Sequence, residues 1–189
     1  MPDQALAGGF GNPAVGAARA FRAALSALAR PGRIETVAGA AAPAPISPAA
    51  AALLLTLCDG ETPLYLAPGH DGQAVRDWIA FHIGAPLVAP EAAQFALGGW
   101  QALQPVGRFA VGTPEYPDRS ATLIVELDRL APEGARLSGP GIKAAAYLSL
   151  PEVAAFRANR ALFPLGCDFY FTAADRLAGL PRSTHVEDH

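Results

Sequence analysis

The chain has 189 residues, a net charge of −3 and a pI near 5.8, which fits one sizeable core and a single domain over residues 1–189. Hydrophobic residues make up 51% and charged residues only 16%, against roughly 25% in an average soluble domain, so part of the surface is expected to be covered by another protein. Lys143 is the one lysine beside thirteen arginines, and no basic block exists, which argues against nucleic-acid binding.

The N-terminus lacks the basic and long apolar regions of a signal peptide. The longest apolar run, residues 49–57, is far shorter than a membrane span, so a cytoplasmic protein with no membrane partner is expected. The first ten residues and the last few, His189 among them, are expected to be mobile.

Asn12-Pro13 supplies a cap and a first-turn proline for a helix, with Phe21, Leu25 and Leu28 on one face and Pro31-Gly32 as its stop. Residues 34–37 read as a short strand, and residues 38–46 as a surface connection rich in Ala and Pro. Ser47-Pro48 opens a second helix that is apolar over most of its girth and ends at Asp59-Gly60. Residues 63–66 form a strand. Asp71 is positioned to cap a third helix, in which Val75, Trp78, Ile79, His82 and Ile83 recur at helical spacing. His82 on that apolar face reads as a core or interface histidine with one hydrogen-bond partner, with a ligand role as the alternative.

From 87 to 120 the helical period is lost, and short strands at 94–97 and 109–111 alternate with Gly and Pro. Residues 122–127 are the strongest strand, apolar enough to be covered on both faces, and residues 136–138 form another. Ser149 and Glu152 have capping-box spacing for a last helix reaching about Leu162. Two short runs, 168–172 and 177–180, then form a closing hairpin. The order predicts an α/β fold, a mixed sheet with helices on its faces in three layers.

No catalytic set emerges from the residues. The Gly139-Pro140-Gly141 turn could present amides to a phosphate, but it lacks the P-loop ending and the dinucleotide spacing, and a tight turn needs the same residues. Lys143 is the one possible Schiff-base lysine, with no phosphate cup beside it. His70, His82, His185 and His189 are scattered without metal-ligand spacing, and no Gly-x-Ser-x-Gly elbow is present. Cys58 and Cys167 sit among apolar residues and read as small buried hydrophobes, not a disulfide. The loop 113–119 carries Glu115, Asp118 and Arg119, read either as partner contacts or as acid/base groups. Arg182, Ser183 and His185, with Asp168 across the hairpin, have two readings: an anion or partner contact, or a salt bridge that locks the strand pair.

Eight short segments in order resemble the PhnH family, a component of the bacterial carbon–phosphorus lyase core complex. They are Phe21-Arg22 to Pro31-Gly32; Leu53 to Asp59 with Thr62-Pro63; Phe81 to Leu87; and Gly112-Thr113. Then come Ala121 to Ile124, Ser138 to Ile142, Phe163 to Asp168 and Leu180 to Val186. The sequence departs from the family pattern at Leu28, where methionine is usual, and at Ile83 and Ser183, where threonine is usual.

The resemblance implies an α/β/α fold similar to the large domain of pyridoxal-phosphate-dependent transferases, without the cofactor site. It implies a homodimer that assembles with the G, I and J subunits into a core complex for phosphonate use. It also implies a role with the G, I and L subunits in making ribose 1-phosphonate 5-triphosphate and adenine from MgATP and an alkylphosphonate. In that scheme the chain is mainly an assembly subunit and not a catalyst by itself, with no cofactor of its own. A free-standing transferase using pyridoxal phosphate through Lys143 is the alternative.

Overall fold

The computed structural model describes residues 7–188, so the expected mobility of the first six residues and of His189 lies outside the described residues. In chain order the main elements are β1 (Gly9–Phe10), α1 (Pro13–Ala29), β2 (Glu35–Thr36), β3 (Ala40–Ala41), α2 (Pro48–Leu57), β4 (Leu64–Leu66) and α3 (Gln73–His82). They continue with β5 (Phe95–Gly99), β6 (Thr122–Glu126), β7 (Ala135–Ser138), β8 (Ala146–Leu148), α4 (Val153–Arg160), β9 (Asp168–Ala173), β10 (Arg176–Leu180) and β11 (His185–Glu187). Short 3-10 turns fill the stretch between β5 and β6.

Six strands form the central sheet in the order β2-β10-β9-β6-β5-β4. Strands β4, β5, β6 and β9 run parallel, and β10 runs antiparallel to both β9 and β2. The central strands alternate their side chains between two apolar cores, as the strand period of two requires. Ile124, Tyr170 and Leu177 point to the core built with α1, α2 and α3, while Leu123, Val125, Phe169 and Phe171 point to the other. That second face is covered by α4, the 3-10 turns and a three-stranded sheet ordered β11-β7-β8. The layering is α/β/α, with the small sheet added to one outer layer.

Close approach of α1 to the sheet depends on Gly179 in β10. A Cβ there would lie 2.7 Å from the Ala27 carbonyl carbon and 2.8 Å from the Leu28 nitrogen. The hairpin between β9 and β10 turns tightly at Ala174 and Asp175, with Ala174 at φ 52. Its carbonyls are used: Ala174 O accepts from Ala49 N at 3.0 Å, and Asp175 O accepts from Val37 N at 2.7 Å. The turn thereby joins the start of α2 and the end of β2.

Two helix caps form as the sequence predicts. Asn12 Oδ1 accepts from Val15 N and Ser47 Oγ accepts from Ala50 N, both at 3.2 Å. Two do not. Gly72 is the cap residue of α3, and Asp71 instead pairs with Arg76 at 2.7 Å. At α4 the cap is Glu152, with no side-chain cap bond. Ser149 Oγ accepts from Ala131 N, and Glu152 accepts from Trp100 Nε1. Tertiary partners have taken both groups of that capping box, and α4 closes at Arg160, short of Leu162.

The connection 38–46 is not wholly a surface loop. Ala40–Ala41 pair with Gly9–Phe10, and Ala40 and Ile46 are buried against α2. Residues 109–111 form no strand: Phe109 is a core side chain, and Val111 makes a single bridge to Ser120. Strands β8 and β11 were not anticipated, since three residues carry too little pattern to separate strand from loop.

Candidate functional site

The sequence-predicted residues gather at one end of the β9–β10 hairpin. In the antiparallel register Leu180 faces Phe169, so the chain leaving β10 passes beside Asp168, the first residue of β9. Asp168 Oδ1 accepts from Arg182 N at 2.8 Å and from Arg182 Nε at 3.1 Å, while Oδ2 accepts from Nη2 at 2.6 Å. This is the bidentate fork that arginine makes with a carboxylate. The same guanidinium donates from Nη1 to Pro117 O at 2.6 Å and from Nη2 to Ser120 Oγ. The salt bridge foreseen between Asp168 and Arg182 is therefore present, and it fastens the loop 113–119 to the hairpin.

Within that loop, the Arg119 guanidinium stacks on Tyr116 at 4.0 Å, so its cation is engaged locally. Ser183 is half-buried, Thr184 is buried, and His185 is exposed on β11. Thr184 Oγ1 has no partner among the described residues. His185 is not part of the Asp168–Arg182 group. Its Nε2 lies 3.2 Å from Arg160 Nη2, at the end of α4.

Burial explains the other titratable groups. Cys58 and Cys167 are free, buried thiols, each pushed up to about 12 by desolvation. Asp59 adds to the rise at Cys58; at Cys167 the Arg182 cation opposes it and Asp168 adds to it. His70 is buried, with neither ring nitrogen partnered among the described residues, and desolvation lowers its pKa against an opposing pull from Glu126. His82 packs against Trp78 and Phe81 with ring centroids at 5.2 and 4.8 Å. Its Nε2 is buried with no hydrogen-bond partner among the described residues.

The Gly139–Gly141 segment is a turn, closed by Ile142 N donating to Gly139 O at 3.1 Å. Gly141 has φ 81, and a Cβ there would fall 2.0 Å from Ala29 O, so both backbone shape and space require glycine. Lys143 follows on the exposed connection between β7 and β8. Among the described residues, no group of three or more His, Cys, Asp or Glu is placed to hold a metal ion. No helix there is long and apolar enough to cross a membrane.

Sequence reasoning missed Asn159. It is buried and clips the chain before β9: Nδ2 donates to Cys167 O at 2.9 Å, and Oδ1 accepts from Cys167 N at 2.8 Å. It also missed Arg157 and Arg160, whose three-residue spacing on a helix was the available signal.

Comparison with known proteins decides the family. Residues 8–187 match the family described as bacterial phosphonate metabolism protein (PhnH). The chain belongs to the PhnH family. It is 41% identical to the alpha-D-ribose 1-methylphosphonate 5-triphosphate synthase subunit PhnH of Rhizobium meliloti (strain 1021), over 97% of this chain and 96% of that protein. It is 31% identical to HtxG of Stutzerimonas stutzeri, described as a candidate C-P lyase subunit, over 88% of this chain and 84% of that protein. The segments that resemble the family fall on α1, α2, the end of α3, β6 and the Gly139–Gly141 turn, and two of them flank the β9–β10 hairpin. In this chain those segments are fold-building: helix, strand, turn and the Arg182 fork.

Proposed function

We propose that this PhnH-family chain is a subunit of a ribose 1-methylphosphonate 5-triphosphate synthase and acts in its assembly. The observation that carries this reading is the 41% identity to a synthase subunit across nearly the full length of both chains. The surface supports it. Phe21 and Leu25 on α1, and Leu162 and Phe163 beyond α4, stand about half exposed on a chain in which only 16% of residues are charged. Such residues are the usual anchors of protein contacts.

In this reading the chain works in the cytoplasm as a homodimer when isolated and joins the G, I and J subunits in the core complex. It supports the conversion of MgATP and an alkylphosphonate to ribose 1-phosphonate 5-triphosphate and adenine, a step that also uses the L subunit. It supplies no cofactor of its own, and MgATP is a substrate of the assembled complex. The fork between Asp168 and Arg182 then serves as a lock on the fold.

Deleting the chain is expected to abolish growth on methylphosphonate as sole phosphorus source, with recovery on phosphate. The purified chain given MgATP and methylphosphonate is expected to release no adenine. Adenine release by the chain alone would overturn the assembly role, and normal growth of the deletion strain would overturn the pathway. Mass spectrometry of proteins co-purifying from phosphate-starved cells identifies the partners directly.

A further inference from the structure

We infer that the cleft between α4 and β11, walled by Arg157, Arg160 and His185, binds a small tetrahedral oxyanion of the phosphate or phosphonate class. The cleft has a volume of about 380 Å³ and opens to solvent beside Ala161, Val186 and Glu187. Arg160 is its organising group. The guanidinium stacks on the Phe163 ring with its central carbon 4.6 Å from the centroid. Nη2 points at His185 Nε2 at 3.2 Å, the one polar side-chain contact that Arg160 makes among the described residues. Arginine can only donate, so His185 Nε2 is the acceptor in that contact.

Arg160 Nε is buried and has no acceptor among the described residues. A guanidinium oriented by an aromatic ring, partly desolvated and lacking a carboxylate is short of one anion. Arg182 shows the contrast, since its fork is filled by Asp168 of the same chain.

The neighbouring charges leave the cleft cationic. Glu187 borders it and pairs with Arg136 of β7 at 2.5 Å, an exposed pair. Asp188 reaches Arg157 at 3.4 Å, and both of those side chains are exposed as well, so that pair is weak. The balance is Arg136, Arg157 and Arg160 against Glu187 and Asp188. Arg157 is free to swing toward a bound anion, three residues from Arg160 on the same helix. Two forked guanidinium donors and an imidazole suit several oxygens around one centre better than the two oxygens of a carboxylate. With Glu187 at the rim, the cleft suits one such group and not an extended polyanion.

This inference stands apart from the assembly role, because its test reads binding to the isolated full-length chain. Inorganic phosphate, methylphosphonate, ATP and acetate are titrated separately by calorimetry at low ionic strength. Phosphate or methylphosphonate is expected to bind at one site with a Kd near or below about 1 mM. Arg160→Gln is expected to weaken binding at least about tenfold and Arg157→Gln about threefold. Arg129→Gln, on a surface pair with Glu133, is expected to leave binding unchanged.

Preference for phosphate or for methylphosphonate separates a free phosphate from a phosphonate, and either upholds the class, whereas preference for ATP over both overturns the reading of a cleft for one small group. Acetate binding as tightly as phosphate overturns the class. Unchanged affinity in Arg160→Gln overturns the site. Should that variant fail to fold, the His185 ring resonances of the unaltered chain decide: a saturable shift with phosphate supports the site, and none overturns it.

Discussion

Arg182 and Asp168 share a fork of 2.6 and 3.1 Å with side chains only 14% and 22% exposed, and the arginine also holds Pro117 O and Ser120 Oγ. One side chain therefore ties together the start of β9, the chain after β10 and the loop before β6. Removing it leaves a half-buried carboxylate with only the Arg182 backbone amide as partner among these contacts. Arg182→Ala is expected to cost about 2–3 kcal/mol, somewhat below the loss at a fully buried pair because water still reaches the site. Urea unfolding measures this as a lower midpoint at unchanged slope. A shift below about 0.5 kcal/mol would show that the fork is ornamental to stability.

Gly179 sets the distance between α1 and the sheet. Because the atoms that a Cβ would strike belong to the Ala27–Leu28 backbone, no rotamer change relieves the contact. The helix must move, and the packing of Ala20, Ala24 and Ala27 moves with it. Gly179→Ala is expected to destabilise by about 2–3 kcal/mol, despite the better strand propensity of alanine. A thermal melt of the variant checks the sign, and a stabilised variant would be incompatible with this packing.

Legibility followed the reach of the interactions. Asn12 and Ser47 cap helices through amides three residues away, and both caps could be read from the sequence. Asp71 and Ser149 have equally good local signals, but Arg76 in one case and Ala131 in the other claimed the side chain. The hairpin of β9 and β10 was readable from its alternation and turn residues, and so was the pairing of Asp168 with Arg182 across it. The contact of Arg160 with His185 spans 25 residues and depends on where β11 docks, which no local pattern records. The all-alanine β3 escaped because alanine carries almost no strand signal, and β8 because three residues are too few to show a pattern; pairing with their neighbours defines both.

Phe156 is the keystone of the second core. Its ring lies 4.8 Å from Trp100, 5.0 Å from Phe169 and 5.5 Å from Phe171, centroid to centroid, and the latter two contacts are edge-on. It is the side chain by which α4 grips the sheet, since much of the rest of that helix is exposed. Phe156→Ala is expected to cost about 3–5 kcal/mol through lost burial and a residual cavity. Phe156→Leu is expected to recover most of it, because leucine refills much of the space. Hydrogen exchange should show the loss first in α4, and equal effects of the two substitutions would refute a cavity origin.

The two thiols give the protein an alkaline limit. Each is raised from an ordinary 9.0 to about 12, mainly by burial, so folding favours the neutral form. Tyr170, buried with its hydroxyl donating to Ala24 O, is raised from 10.0 for the same first reason, with Asp168 adding to it. The unfolded chain thus releases these protons at lower pH than the folded one. Their contribution is intact below about pH 9 and is lost as pH climbs from there toward about 12. Unfolding free energy is accordingly expected to fall across that window, and less steeply in Cys58→Ala and Cys167→Ala than in the unaltered chain. At about pH 8 both thiols should resist a thiol reagent in the native protein and react once urea unfolds it, because only the thiolate attacks. Rapid labelling of the native chain at either cysteine would contradict their burial.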